Sequence, residues 1–197
     1  MASLSSDYPT CGLYFGSFNP LHIGHVAIAN YLVSFTDLDQ VRMILSPQNP
    51  LKEPQDTHKQ VLCDRLEHIR RVMAARRLPV TVSDVEFTLP QPLYTIHTLR
   101  FLQQAEPHVR FIVVIGADNL AQLPRWYRWE EIARDFEIYV YPREGFDAPT
   151  LCREFNNHRF PEAPKGCRLL PAPLITVSST FVREGLDAGK NMNGFLV

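Results

Sequence analysis

Lysine is scarce in this sequence, and neither sign of charge is in clear excess. Lysine occurs only 4 times among 20 basic residues, and 21 acidic residues bring the formal net charge to -1. A chain without a net positive field has no general attraction for nucleic acid or for an anionic membrane surface. A site for an anionic ligand must therefore be local, and arginine, which suits bidentate contacts to phosphate, would supply most of its charge.

Cysteines and long apolar runs are also few. The 4 cysteines are scattered and form no C-x-x-C pair, which excludes the dense pattern of a disulfide-stabilised secreted scaffold. The strongest apolar run, Phe111 to Ile115, is too short to cross a membrane, and Met1 to Pro9 lacks the pattern of a signal peptide. We therefore expect a cytoplasmic protein with no membrane or nucleic-acid partner, and the sequence leaves a homo-oligomer open.

Short β-branched and aromatic runs alternate with segments of helical period, and this pattern predicts a fold of the α/β class. We expect a doubly wound, Rossmann-like parallel sheet with helices on both faces, in a single domain over residues 1–197 with its core at about 11–189. The predicted strands are Cys11 to Phe15, Val41 to Leu45, Val80 to Val82, Phe111 to Ile115, Glu137 to Tyr141 and one near Arg168 to Leu170. The predicted helices are His22 to Phe35, one whose apolar stripe runs from Leu62 to Met73, Thr95 to Gln104, Trp129 to Arg134 and Ser179 to Ala188.

The loop after the first predicted strand has the composition of a phosphate site. Gly16 allows a ligand to approach the backbone, and the predicted helix start that follows offers unpaired N–H groups to an anion. His22 and His25 are three residues apart, so both imidazoles face the same side, and Gly24 leaves room there for a base or a sugar. The plainer interpretation is that the two histidines only cap the helix. Neither a Walker loop nor a dinucleotide fingerprint matches the spacing, and a zinc site lacks a third ligand.

A second candidate phosphate contact lies late in the chain. Ser178, Ser179 and Thr180 stand directly before a predicted helix, and Arg183 follows one turn inside it. Such hydroxyls commonly cap a helix, and Arg183 could simply be solvated. The alternative is that hydroxyls, helix amides and the guanidinium together hold phosphates.

Two further loops are candidates for ligand binding. Ligands of a doubly wound sheet bind beyond the carboxyl ends of its strands, where we expect the Pro-rich segment from Ser46 to Thr57 and the loop after Ile115.

These motifs have a family resemblance. The segment from Gly16 to His25 resembles the G-x-F-x-P-x-H-x-G-H signature of the HIGH-type nucleotidyltransferase superfamily, and the segment from Thr176 to Arg183 resembles its I-S-[ST]-T-x-x-R motif. From about Gly12 to Gly189 the chain looks like the bacterial nicotinate mononucleotide adenylyltransferases. The resemblance implies catalytic roles at the reacting phosphates for His22, His25, Lys52 and Arg183. It implies ATP binding by Gly16, Ser17, Phe18, Gly24, Gly116, Asp118, Ser178, Ser179 and Thr180, and nicotinate mononucleotide binding by Tyr94, Thr95 and Trp126.

The implied reaction is adenylyl transfer from ATP to nicotinate mononucleotide, giving deamido-NAD and pyrophosphate in NAD biosynthesis. Mg2+ would be held by the phosphates and not by protein side chains. Alternatives are a pantetheine-phosphate or cytidylyl transferase, a nucleotide-binding regulator without turnover and, less favoured by the absence of a K-M-S-K-S loop, an aminoacyl-tRNA synthetase. The arginine-rich stretch from Arg65 to Arg77 could also bind nucleic acid, although Asp64 and Glu67 interrupt it. The preference for the acid or the amide form of the mononucleotide stays open.

Overall fold

The computed structural model describes residues 8–47, 59–157 and 166–197. Six strands form one sheet in which every neighbouring pair is parallel, in the order β3-β2-β1-β4-β5-β6. The strands are β1 (Thr10–Gly16), β2 (Gln40–Leu45), β3 (Val80–Ser83), β4 (Arg110–Gly116), β5 (Glu137–Tyr141) and β6 (Cys167–Leu169). This order is the doubly wound one, and it confirms the predicted fold class.

Helices cover both faces of the sheet. They are α1 (Ile23–Phe35), α2 (Lys59–Ala75), α3 (Thr95–Ala105), α4 (Ala117–Gln122), α5 (Trp129–Asp135), α6 (Ala148–Asn157) and α7 (Ser179–Asp187), with 3-10 turns at Val85–Phe87 and Leu123–Arg125. Alternate residues of β4 serve opposite faces, because Val113 packs with helix α3 whereas Ile112 packs with helix α1. The near-continuous apolar runs seen in the sequence are therefore those of strands buried on both faces.

The six predicted strands are confirmed, with ends that differ by at most two residues, and so are the five predicted helices. Two helices, α4 and α6, were not predicted from the sequence. Helix α4 follows Gly116 directly, where the sequence predicted a loop after Ile115. Helix α6 was not predicted although the sequence has two signals of a helix start. The Asp147 carboxylate accepts the Thr150 N–H at 3.1 Å, and Pro149 lies in the first turn.

The topology creates one edge at which candidate ligand-binding loops meet. Gly16 at the end of β1 is in register with Leu45 of β2, and Gly116 at the end of β4 is in register with Tyr141 of β5. The chain runs to opposite sides from β1 and from β4, so a crevice opens between these strands at their carboxyl ends. Among the described residues, no helix has the length and apolarity that a membrane span requires.

Candidate active site

The first loop folds tightly over the end of β1. Phe18 has a φ of 44°, in the left-handed region, and its ring is buried with 2% exposure. A Cβ on Gly16 would lie 2.8 Å from the Phe18 ring. Gly16 is therefore required by the loop itself, since any side chain there would expel Phe18 from the core. Because its ring is buried, Phe18 can meet a nucleotide only through its backbone.

His22 and His25 lie together at the start of α1. Their rings are stacked with centroids 3.7 Å apart, and the His22 backbone N–H donates to His25 Nδ1 at 3.3 Å. The capping interpretation is thus partly correct, because His25 serves the helix end. An accepting Nδ1 leaves the proton of neutral His25 on Nε2. The C-terminal tail fixes the same helix end, where Phe195 O accepts the Ile23 N–H at 2.9 Å.

His22 is held neutral in a buried position. Only 3% of the residue is exposed, and burial, together with a smaller effect of the Arg143 guanidinium, lowers its pKa from 6.5 to about 4. Among the described residues, two buried side-chain atoms have no hydrogen-bond partner, and these are His22 Nδ1 and Asp118 Oδ1. Unsatisfied buried polar atoms are uncommon and cost free energy. Both lie at the carboxyl edge of the sheet, where a ligand could satisfy them.

The lowered pKa of His22 makes stability depend on pH. His22 takes up a proton at a pH of about 6.5 in the unfolded chain and only at about 4 in the folded chain. Its contribution to the free energy of unfolding is therefore complete above pH 6.5 and is lost as the pH falls towards 4. We expect His22 to remove about 2 kcal/mol of unfolding free energy between pH 7 and pH 5. Urea unfolding of the wild type and of His22→Ala at both pH values measures this, and equal pH dependence in the two proteins would contradict it.

Gly24 makes room for His22. The sequence suggested that this glycine leaves space for a base or a sugar, but an added Cβ would lie 2.9 Å from His22 Nδ1 and 3.0 Å from Ile175 Cγ2. The space beside Gly24 thus belongs to the imidazole, and a larger residue would displace it. Contact of a base or a sugar with Gly24 stays a prediction.

The role of Gly24 gives a second prediction. Alanine is a better helix former than glycine, so Gly24→Ala should keep helix α1 while shifting the His22 ring. We expect turnover to fall about 10- to 100-fold, because small displacements of reacting groups have effects of this order. Steady-state kinetics of the purified variant test this. Gly194→Ala is the matched control, since nothing lies within 4 Å of its added Cβ. Equal turnover in the two variants would show that the His22 position is unimportant.

The late motif lies against the first loop. Arg183 Nη1 donates to Asn19 O at 2.7 Å across 164 positions of sequence, and the Ser179 hydroxyl donates to Pro20 O at 3.3 Å. Arg183 Nη2 also donates to the Thr180 hydroxyl at 3.1 Å. The start of α7 and the loop before α1 are therefore joined. Ser178 has the plainer role, since its hydroxyl caps α7 by accepting the Phe181 N–H at 3.1 Å.

Gly116 and Asp118 lie beside an arginine that sequence reasoning missed. A Cβ on Gly116 would lie 2.2 Å from Asp118 Oδ1 and 3.1 Å from Arg143 Cγ, so glycine permits this close arrangement. Arg143 Nε is 3.6 Å from Asp118 Oδ1 and also acts on the pKa of His22. It follows β5 by two residues, at the same edge as the other loops. The strand was predicted correctly, and the rule that ligands bind beyond strand ends marks the loop that contains Arg143, although it does not single out this residue within the loop.

Tyr94, Thr95 and Trp126 lie at one end of α3. Tyr94 is the residue before this helix, Thr95 is its first residue, and both Tyr94 and Trp126 pack against the same core cluster as Phe15. Tyr127, which was not predicted, stacks on Tyr94 with centroids 4.4 Å apart and is 43% exposed. Tyr94 and Thr95 thus lie at the start of α3, and Trp126 precedes the exposed Tyr127 that stacks on Tyr94.

Two further basic residues were considered from the sequence. Lys52, which was predicted to lie at the reacting phosphates, lies outside the described residues. Arg65, on α2, donates through Nη1 to Ser17 O at 3.3 Å and so contacts the first loop. Sequence reasoning had placed Arg65 in a candidate nucleic-acid helix, whereas the structure gives it a contact with the first loop.

Known proteins resemble the chain along most of its length. The family model described as cytidylyltransferase-like matches residues 13–185. A protein of Flavobacterium psychrophilum named as a probable nicotinate-nucleotide adenylyltransferase is 42% identical over 187 residues, covering 94% of this chain and 90% of that protein. One of Bacteroides thetaiotaomicron with the same name is 41% identical over 197 residues, covering 100% of this chain and 91% of that protein.

Solved structures give the same result at the level of fold. A nicotinic acid mononucleotide adenylyltransferase of Plasmodium falciparum, complexed with NaAD, has a TM-score of 0.72 at 14% identity and covers 94% of this chain and 88% of its own. A putative nicotinate-nucleotide adenylyltransferase of Vibrio parahaemolyticus has a TM-score of 0.62 at 19% identity, with 96% and 87% covered. The solved structures show the fold, and the family model and the curated relatives place the chain in the cytidylyltransferase-like family, among the nicotinate-nucleotide adenylyltransferases.

Proposed function

We propose that this protein transfers the adenylyl group of ATP to nicotinate mononucleotide, giving deamido-NAD and pyrophosphate. The observation that carries the proposal is the contact between the start of α7 and the first loop, through Arg183 to Asn19 O and Ser179 to Pro20 O. Two helix N-termini, those of α1 and α7, are thereby brought together with His22 and Arg183. Such N-termini and cations suit the phosphates of a nucleotide.

The charge of the site comes from arginine and not from histidine. With a pKa of about 4, His22 is uncharged near neutral pH and can contribute hydrogen bonding to a phosphate oxygen but no positive charge. Arg183 and Arg143 are arginines, the residue type whose planar guanidinium suits contacts to phosphate. We assign His22, His25, Lys52 and Arg183 to the reacting phosphates, and we add Arg143 to this set because it lies close to His22.

The acceptor needs no general base. Its phosphate has a second ionisation near pH 6, so at neutral pH it is mostly a dianion that can attack directly. An acceptor oxygen forms a bond to the α-phosphorus of ATP while the bond from that phosphorus to the bridging oxygen breaks, and pyrophosphate leaves with the electron pair. The residues around His22 hold the two anions in line and stabilise the charge that develops on the leaving group.

Mg2+ fits this site as an ion carried by the nucleotide. Among the described residues, no cluster of three histidine, cysteine, aspartate or glutamate side chains could hold a metal ion. Magnesium prefers oxygen ligands and is commonly bound through substrate phosphates. When bound, it would neutralise charge on the leaving phosphates.

The proposed mononucleotide site lies at the start of α3. Thr95 begins this helix, so its N-terminal N–H groups can bind the nicotinate carboxylate, and Trp126 offers an aromatic surface for the pyridine ring. A helix N-terminus favours a carboxylate over a neutral amide, which supports the acid form of the substrate. Because the reaction consumes ATP, we also propose that the protein acts in the cytoplasm.

A substrate panel tests the proposal. Pyrophosphate release from ATP should require both Mg2+ and nicotinate mononucleotide, be weaker with nicotinamide mononucleotide and be absent with phosphopantetheine or with ATP alone. Mass spectrometry should identify deamido-NAD as the second product. Release that depends on phosphopantetheine would replace the proposed substrate, and nucleotide binding without any release would indicate a regulator and not an enzyme.

A further inference from the structure

Buried polar chemistry outside the candidate active site is concentrated in one pair of side chains. Among the described residues, four polar side chains are buried, namely Thr10, His22, Glu86 and Thr98. His22 belongs to the proposed phosphate site, and Thr10 bonds to Asp39 at the amino ends of the strands. Glu86 and Thr98 take no part in the mechanism above. Because burial of a carboxyl group costs free energy unless it is hydrogen-bonded, the pair requires an explanation.

Glu86 is held between two different elements. It lies in the 3-10 turn Val85–Phe87, where Oε1 accepts the Thr98 hydroxyl of α3 at 2.8 Å, and the Ser46 side chain is near enough to help lower the pKa of its carboxyl group. Burial raises the pKa of Glu86, while the Thr98 and Ser46 side chains oppose the rise. Only 4% of Glu86 is exposed, so it is a fixed internal connection and not a surface acid.

Each of the two partners supports a different substrate site. Ser46 is the first residue after β2, and its backbone N–H donates to Gly16 O at 2.9 Å, directly under the first loop. Thr98 lies in α3, three residues after Thr95, which belongs to the proposed mononucleotide site. Glu86 therefore connects the base of the ATP loop with the helix proposed to bind the acceptor.

We propose that Glu86 is a positioning residue that fixes the ATP loop and the acceptor-binding helix relative to each other. The inference rests on the proposed function, and Glu86 itself touches neither substrate. In-line transfer between two separately bound anions depends on their alignment, and a displacement of about 1 Å can cost about 10²-fold in rate. Loss of the connection should therefore lower kcat more than it changes either KM.

Three variants at the pair measure this split. We expect Glu86→Gln and Thr98→Val each to lower kcat about 10-fold with KM changed less than about 3-fold, because binding surfaces stay intact while alignment loosens. Thr98→Ser retains the hydroxyl, so we expect its kcat to be close to that of the wild type. The double variant should lose no more than the worse single variant, since both changes break one connection.

Thr10→Val is the matched control. It too removes the hydroxyl of a buried threonine that bonds to a carboxylate, but at the opposite edge of the sheet. We expect it to lower Tm like Thr98→Val while leaving kcat unchanged. Wild-type kcat in Glu86→Gln, or an equal loss of kcat in Thr10→Val, would overturn the inference.

A readout that does not need turnover separates this inference from the proposed function. Hydrogen exchange of the Ser46 amide, followed by NMR, reports on its bond to Gly16 O. We expect exchange to be about 10-fold faster in Glu86→Gln than in the wild type and unchanged in Thr10→Val. If the wild type releases no pyrophosphate, the proposed function fails while the exchange rate still decides the positioning role. An unchanged Ser46 rate in Glu86→Gln rejects it.

Discussion

His22→Ala should lower turnover about 10²- to 10³-fold, the loss typical when one donor is removed from a preorganised site for a developing anion. The structure gives the reason, because the imidazole is buried, neutral and backed by Gly24, with an Nδ1 that no described residue satisfies. Such a ring is already placed, so the reaction spends no free energy in ordering it. Single-turnover kinetics with saturating ATP and nicotinate mononucleotide measure the effect on the chemical step.

The loss should occur without unfolding at neutral pH. Removal of a buried ring leaves a cavity, but it also removes an unsatisfied polar atom, so the two effects on stability partly cancel. His108→Ala is the control, because His108 is an exposed histidine just before β4, at the opposite edge of the sheet. Thermal unfolding of both variants should remain cooperative. Wild-type turnover in a folded His22→Ala protein would remove His22 from the mechanism.

Arg183→Ala should have an effect of the same order, about 10²-fold or more on kcat, for two reasons that act together. The substitution removes a cation from the phosphate site. It also removes the hydrogen bond from Nη1 to Asn19 O that joins α7 to the first loop. Arg183→Lys keeps the charge but lacks the second donor of the guanidinium, so we expect an intermediate loss.

Arg153→Ala controls for the loss of a surface arginine. Arg153 is exposed on α6 and donates to the Thr150 hydroxyl three residues earlier at 2.9 Å, just as Arg183 donates to Thr180 at 3.1 Å. The two variants lose the same local bond, and only Arg183→Ala loses the contact with Asn19. Equal kcat values would mean that the contact between α7 and the first loop has no catalytic consequence, which would remove the main support for the proposed function.

The fold was largely predictable because its signals are local. Strands buried on both faces appear as runs such as Phe111 to Ile115, and α2 shows its apolar stripe at helical spacing. Helix α4 was missed because it is short and joins β4 directly at Gly116. Helix α6 was missed although Asp147 and Pro149 marked its start.

The candidate site was predictable where a motif is continuous and not where a residue acts from a separate loop. His22, His25 and Arg183 were found because their segments resemble a known pattern, and their roles stay predictions until the variants are measured. Arg143 and Glu86 escaped, since a single arginine after a strand or a single glutamate before a helix has no distinctive local pattern. The actual use of Gly24, to accommodate a histidine, also required coordinates.

The sequence by itself determined the six strands, five of the described helices and the two motifs that resemble a nucleotidyltransferase, because all of these depend on neighbours within a few residues. Only the tertiary structure decided that Arg183 donates a hydrogen bond to Asn19 O. It also decided that Arg143 lies beside Asp118 and lowers the pKa of His22, and that Glu86 lies between Ser46 and Thr98. These contacts join residues far apart in the chain, and they form because parallel strands bring their carboxyl ends to one edge of the sheet.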